Sequence, residues 1–146
     1  MYMRTRRLNH SVYRHQYHLI WGTKYRRKYL KPYVQKEFEG RLYEVIRLNY
    51  PTLYIHTMNA KEDHVHLQIE IPPKYAVSTV VQRLKWHTSI HLKKRFPFIK
   101  RMYFNKSSIW SVGYFSSTIG LNEQTIQSYI EYQHKQDQPK TLKLGF

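Results

Sequence analysis

Residues 63–72, Asp63-His64-Val65-His66-Leu67-Gln68-Ile69-Glu70-Ile71-Pro72, decide how the rest of the chain is read. The stretch opens on a charged turn, runs into apolar alternation and stops at the pair Pro72-Pro73. At a strand period of two, Val65, Leu67, Ile69 and Ile71 share one face, and His64, His66, Gln68 and Glu70 share the other. The apolar face anchors the strand in a core and leaves two imidazoles side by side. Same-face neighbours lie only about 7 Å apart along a strand, so the pair is able to ligate one metal ion. The same pattern also describes a half-exposed strand that carries two of the chain's nine histidines. What surrounds it decides between the two.

Just upstream, residues 52–60 (TLYIHTMNA) form another strand, and Lys61-Glu62-Asp63 is the turn between them. So short a connection makes the two an antiparallel hairpin. Before that, Pro32 suits a helix start, and Val34, Phe38, Leu42, Val45 and Ile46 keep helical spacing as far as Asn49, ahead of Pro51. Residues 13–25 (YRHQYHLIWGTKY) alternate weakly and predict the first strand, with Leu19 and Trp21 on its buried side. Residues 1–12 read as a basic arm with little periodicity.

Downstream, Val77, Val80, Val81, Leu84, Ile90 and Leu92 predict a long helix over 76–95, closed by Pro97. Its Arg83, Lys85, His87, Lys93, Lys94 and Arg95 make either a solvated basic face or a phosphate-contacting one, and the overall charge favours contact. Residues 109–118 (IWSVGYFSST) read as the last strand, bulged at Gly113. Asn122 is an N-cap for a final helix to about Gln136. Residues 137–146 are assigned to a C-terminal tail. The order strand, helix, strand, strand, helix, strand, helix predicts an α+β fold over one domain, residues 1–146. It is a ferredoxin-like split βαβ antiparallel sheet with helices on one face and a C-terminal helix.

Composition narrows the partner. A formal net charge of +16 on 146 residues, with fourteen tyrosines set largely among Lys and Arg, implies a polyanion, and nucleic acid first. Aromatic rings between cations suit unpaired strands, whose bases stack on side chains. With no cysteine, disulfides, thiolate catalysis and Cys-ligated metal are excluded. No apolar run approaches the ~20 residues of a membrane span. The expected setting is soluble and cytoplasmic, away from membranes.

On the last helix Tyr129 and Gln133 stand at i and i+4 and project from one face. A tyrosine hydroxyl is able to act as a covalent nucleophile. Against a phosphodiester, a divalent cation would polarise the phosphoryl oxygen. His64 and His66 are candidate ligands, with the Gln133 side-chain oxygen as a third and Mg²⁺ or Mn²⁺ as the ion. The bare spacing equally describes a surface or core pair.

Four blocks settle the reading. The stretch DHVHLQIEIPP, the upstream Tyr17-His-Leu-Ile-Trp-Gly-Thr-Lys-Tyr-Arg, and the downstream WSVGYFSSTIG and YIEYQ stand in one order over roughly residues 11–136. Together they resemble the insertion-sequence 200/605 type of single-tyrosine transposase, in the HUH (His-hydrophobe-His) superfamily. The resemblance implies that His64 and His66 are metal ligands, that Tyr129 is the nucleophile and that Gln133 is the third ligand. Tyr129 would attack single-stranded DNA, leaving a 5′-phosphotyrosine link and a free 3′-OH that later rejoins strands. The likeness further implies homodimers, recognition of hairpins near the element's ends, and a C-terminal helix that completes the partner's site, with residues 116–122 as hinge.

Asp63 and Glu70 are either partners that orient an imidazole or plain surface carboxylates. His18 and His56 are read as structural or surface residues, and Tyr103, Trp110 and Tyr114 as packing aromatics. Rival readings are a domesticated hairpin nuclease, a metal-dependent phosphodiesterase using water, and a non-enzymatic RNA- or DNA-binding module on the same sheet.

Overall fold

A computed structural model describes residues 6–8, 11–13, 15–104 and 108–138. Four strands, β3 (Gln16–Gly22), β4 (Tyr54–Ala60), β5 (His64–Glu70) and β6 (Phe115–Ser117), form an antiparallel sheet in the order β4-β5-β3-β6. Helix α1 (Pro32–Asn49) connects β3 to β4, and β5 inserts between those two strands. Helix α2 (Val77–Arg95) connects β5 to β6. This is the ferredoxin-like split βαβ arrangement expected from the order of periodic segments.

Alternation sorts the two faces. Leu19 and Trp21 of β3 and Val65, Leu67 and Ile69 of β5 enter the main core. The stripe Val34, Phe38, Leu42, Val45 and Ile46 of α1 and Val80, Val81, Leu84 and Leu92 of α2 close over them. Trp110 fixes the centre of this layer. Its ring meets Phe38 edge-on at 5.4 Å and Trp21 at 6.0 Å, geometries favoured by the aromatic quadrupole. Its indole N–H donates to Thr88 Oγ1 at 3.1 Å. Trp110 and Tyr103 are packing residues, as expected, and Tyr114 packs partly buried against the same core.

One feature of β4 escapes a period of two. Ile55 and Met58 both pack on the core although they are three residues apart. The register shifts between Ile55 and Thr57, so that His56 is an extra residue in β4. This bulge corrects the phase, and His56 Nε2 meets Glu70 Oε2 at 2.9 Å. The polar side of β5 is also less exposed than its residue types suggest: His64, Gln68 and Glu70 are all buried.

The last strand is broken. Trp110 bridges Thr23, whereas Phe115 pairs with Ile20, so two extra residues lie on the outer strand between these points. Gly113 stands there at φ +90°, a conformation open to glycine, and makes the expected bulge. Helix α3 (Pro97–Met102) follows α2 directly; Pro97 both ends one helix and starts the next.

At the amino end, the residues read as an unpatterned arm include a hairpin of β1 (Arg6–Leu8) and β2 (Ser11–Tyr13), with Arg7 opposite Val12. Residues 1–5, 9 and 10 of that arm, and 139–146 of the tail, lie outside the described residues. Helix α4 (Glu123–Asp137) takes Asp137 from the expected tail into its last turn. Among the described residues no helix is long and apolar enough to cross a membrane.

Candidate active site

On the sheet face away from α1 and α2, register builds the site. Gly22 pairs with His64, and Ile20 with His66. Because Leu19 and Trp21 enter the core, Ile20 and Gly22 face the other way, beside the two imidazoles. Helix α4 lies here. Ile126 and Ile130 close with Ile20 in a second apolar cluster, flanked by Phe115, Leu121 and Tyr129. The closest approach is at Gly22, where a Cβ would stand 2.8 Å from Gln133 Oε1 and 3.4 Å from Ile130 Cδ1. Glycine therefore lets the helix sit directly on β3.

Asn122 starts α4 as expected, its side chain accepting from Thr125 N at 2.8 Å. Three turns on, Gln133 is buried and fully engaged. Its Oε1 accepts from Gly22 N at 2.6 Å. Its Nε2 shares hydrogens among Tyr129 OH at 3.0 Å, Gly113 O at 3.1 Å and Val112 O at 3.3 Å. A backbone N–H only donates and a carbonyl only accepts, so these partners fix which way the amide faces. The bulge at Gly113 thus supplies the acceptors that hold Gln133, and Gln133 holds the Tyr129 hydroxyl.

Tyr129 is half-buried, with its ring 5.4 Å from Phe115 and stacked on Tyr132 at 6.0 Å. Burial pushes its phenol up to about 12; the Gln133 hydrogen bond opposes the rise, while Tyr132 and Tyr114 add to it. At neutral pH it is an un-ionised phenol.

Among the histidines, His64 Nδ1 lies 2.7 Å from Asp63 Oδ1. A carboxylate accepts only, so Nδ1 carries a proton, and in the neutral ring this leaves Nε2 as the nitrogen with the lone pair. The His64 hydrogen bond leads the causes that hold Asp63 down at about 2; burial opposes it, and Arg26 helps through a bond of 3.0 Å. Of the two candidate orienting carboxylates, Asp63 contacts a site imidazole, while Glu70 is engaged by His56 at the other end of β5.

His66 Nε2 stands 3.3 Å from His18 Nδ1. Burial lowers both rings, and the charges of His18 and His64 lower His66 further, against Glu123. Both are neutral at neutral pH, the form that binds metal. His18, expected to be structural or a surface residue, is therefore part of the site wall. Its signal is in the register: His18 lies one pleat from Ile20, the partner of His66, and so is a diagonal neighbour on that face.

The donor set fits a divalent cation. His64 Nε2 has an open lone pair, His66 is only partly buried, and Gln133 Oε1 has a second lone pair beyond the one on Gly22. Two imidazoles and an amide oxygen leave positions for water and phosphate, as Mg²⁺ or Mn²⁺ requires. Among the described residues no group of three His, Cys, Asp or Glu could hold a metal.

Three residues outside the candidate site read from the sequence complete the surroundings, Lys85 among them from the basic face of α2. Arg26 donates to Asp63, to Glu131 Oε1 at 2.8 Å and to Gln127 Oε1 at 3.2 Å, tying the His64 turn to α4. Asp137 Oδ2 accepts from Tyr25 N at 2.8 Å and Ser111 Oγ at 2.7 Å, fixing the far end of α4. Lys85 Nζ donates to Ser111 O at 2.6 Å and Gly113 O at 2.8 Å from behind the bulge. Burial brings Lys85 down to about 8, offset in part by Asp137 and aided by Lys24.

Comparison with known proteins gives this geometry a family. A family model described as IS200-like transposase matches residues 11–133. The IS200 transposase of Salmonella typhimurium LT2 is 31% identical over 130 residues, covering 89% of this chain and 84% of that protein. The ISDra2 transposase TnpA of Deinococcus radiodurans is 32% identical over 127 residues, 86% of this chain and 89% of that protein. A crystal structure of a candidate transposase from Deinococcus radiodurans R1 superposes with a TM-score of 0.78 at 28% identity, over 88% of this chain and 98% of that one. A REP-associated tyrosine transposase bound to a REP hairpin shares the fold at a TM-score of 0.52 and 13% identity, over 81% of this chain and 63% of that one. A model match over most of the chain, and relatives above 30% identity along most of their own length, make this protein a member of the IS200-like transposases.

Proposed function

We propose that the chain, as one domain, cuts and rejoins single-stranded DNA at insertion-sequence ends through a 5′-phosphotyrosine intermediate on Tyr129. The observation that carries this reading is the chain of contacts from Tyr129 OH to Gln133 Nε2, and from Gln133 Oε1 to Gly22 N, the strand partner of His64. It brings a candidate nucleophile and the His pair to one side of the sheet.

In the forward step the Tyr129 oxygen bonds to phosphorus and the P–O3′ bond breaks. The phenolic proton leaves to solvent, and the departing oxygen takes one up as a 3′-OH. Rejoining reverses this with a 3′-OH as nucleophile, so the covalent link conserves the phosphodiester's energy. Gln133 donates to the phenol oxygen and favours its ionised form. Phe115 and Tyr132 flank the ring. Lys85 spends two of its three N–H groups on backbone carbonyls and keeps one for a phosphate. A divalent cation, Mg²⁺ or Mn²⁺, held by His64, His66 and Gln133 would polarise the phosphoryl oxygen and orient the leaving group.

The REP hairpin held by a protein of this fold supports a hairpin beside the cleaved strand as the recognised DNA. The family likeness supports a homodimer. The decisive experiment uses 5′- and 3′-labelled single-stranded oligonucleotides from the flanks of the gene, with Mg²⁺, Mn²⁺ or EDTA, on a denaturing gel. The expected result is a metal-dependent protein–DNA adduct that Tyr129→Phe abolishes. A native-gel shift for both proteins, with no adduct under any metal, would replace this reading with a binding module.

A further inference from the structure

Around the sheet edge from Tyr129, between α2 and the bulge, lies an open cleft of about 430 Å³. That is the size range of small-molecule sites. Ser78, Gln82 and Trp86, at i, i+4 and i+8, line one side from α2, and Val112 and Tyr114 line the other. Gly113 is shared between the two places: it lines the cleft, its carbonyl binds Gln133 and Lys85, and a Cβ built on it would stand 3.6 Å from Tyr129 OH. Gly113 therefore separates the cleft on one side from the reacting hydroxyl on the other.

Its chemistry is specific. Of the chain's three tryptophans, Trp21 and Trp110 are buried at 0% and 1% exposure, whereas Trp86 is 60% exposed. Val112, across from it, is 81% exposed. The Trp86 ring meets His87 edge-on at 4.9 Å and keeps most of its surface open. Ser78 and Gln82 offer donors and acceptors along the rim, and Lys85, bonded to the Gly113 carbonyl, adds a cation with an open N–H.

We propose that this cleft seats one unpaired base of the DNA strand, stacked on Trp86, next to the phosphodiester presented to Tyr129. The proposal rests on the DNA-cleaving reading above and names a subsite for it. A base inside a duplex has both faces covered by its neighbours, so only an unstacked one can present a face to Trp86. An apolar floor, a hydrogen-bonding rim and a cation match the parts of a nucleotide. The net charge of +16 favours such a polyanion over an apolar protein segment.

The test scans 2-aminopurine, one position at a time, along a single-stranded oligonucleotide from the element's end, using the full chain. One position should be quenched on binding the wild-type protein and Trp86→Phe, and should recover its fluorescence with Trp86→Ala. Affinity of Trp86→Ala should fall about tenfold, as loss of one base–aromatic stack implies. Trp86 is exposed, so its removal leaves the core intact. Equal quenching with Trp86→Ala, or undiminished affinity, would overturn the seat, as would a responding base many nucleotides from the mapped adduct. The adduct assay separates the two claims: an adduct without a Trp86-dependent position sinks the cleft alone. A Trp86-dependent position without an adduct keeps the base seat and sinks the chemistry. No binding to any such strand sinks both.

Discussion

At Gly22 the separation between β3 and α4 depends on one missing methyl group. Gly22→Ala would place a Cβ 2.8 Å from Gln133 Oε1, the end of a side chain able to rotate away. The fold should therefore tolerate the change, with a melting temperature lowered by only a few degrees. Adduct formation should fall about tenfold or more, because Gln133 would leave its place beside Tyr129. An adduct rate that falls only in step with folded protein would refute this account. Lys85 gives a prediction in pH. Its ammonium is charged below about 8 and loses its proton above, so affinity for single-stranded DNA should be flat up to that point and then decline. Bound phosphate favours the charged form, so binding takes up a proton in that range. Lys85→Arg should stay flat to about pH 9, since a guanidinium does not titrate there and ordinary lysines and tyrosines lose their protons only nearer pH 10. His64 with His66, and Tyr129 with Gln133, were legible as same-face pairs from the period of their elements, but only the resemblance of four sequence blocks to a family singled them out as a site. His18, Arg26 and Lys85 were not legible as parts of it, because their contacts cross between elements and depend on register and on the bulge.

The docking of α4 is an element-scale matter, and the short turn after β3 controls it. Tyr25 and Arg26 both adopt positive φ, 59° and 56°, which is uncommon for residues other than glycine. That turn aims the Tyr25 N–H at Asp137 and the Arg26 guanidinium at Asp63, Gln127 and Glu131. The side chain of Arg26 is 29% exposed and that of Glu131 52%, so these bonds together stabilise the docked helix by about 1 kcal/mol. Arg26→Ala should raise hydrogen exchange of α4 amides about fivefold while α1 amides keep their protection. Uniform change in both helices would mean global destabilisation and refute a local latch. Helices α1 and α2 were readable from apolar stripes that face one core. Helix α3 was missed because six residues behind a proline carry too few turns for a period. The hairpin β1–β2 was missed because short strands rich in arginine show no alternation. The bulge at His56 was hidden for another reason: only the pairing with β5 reveals an extra residue, and Ile55 and Met58 look out of phase without it.

For the whole molecule the governing quantity is the excess of 25 Lys and Arg over 9 Asp and Glu. If the partner is a single strand, each neutralised phosphate releases counterions, and log affinity falls with log salt at about −0.7 per contact. Five such contacts would lower affinity about a hundredfold between roughly 50 and 200 mM salt. The two halves of the proposed subsite should separate in this plot. Lys85→Ala removes a charge and should make the slope shallower by about 0.7. Trp86→Ala removes a stacking surface and should shift the whole line to weaker binding without changing its slope, because no counterion is involved. Duplex DNA of the same sequence should retain a steep salt dependence, yet respond little to Trp86→Ala, since its bases offer no free face. Were Trp86→Ala to flatten the slope as Lys85→Ala does, the cleft would be one more part of a diffuse basic surface. Were duplex binding to depend on Trp86 as strongly as single-strand binding, the occupant of the cleft would not be an unpaired base.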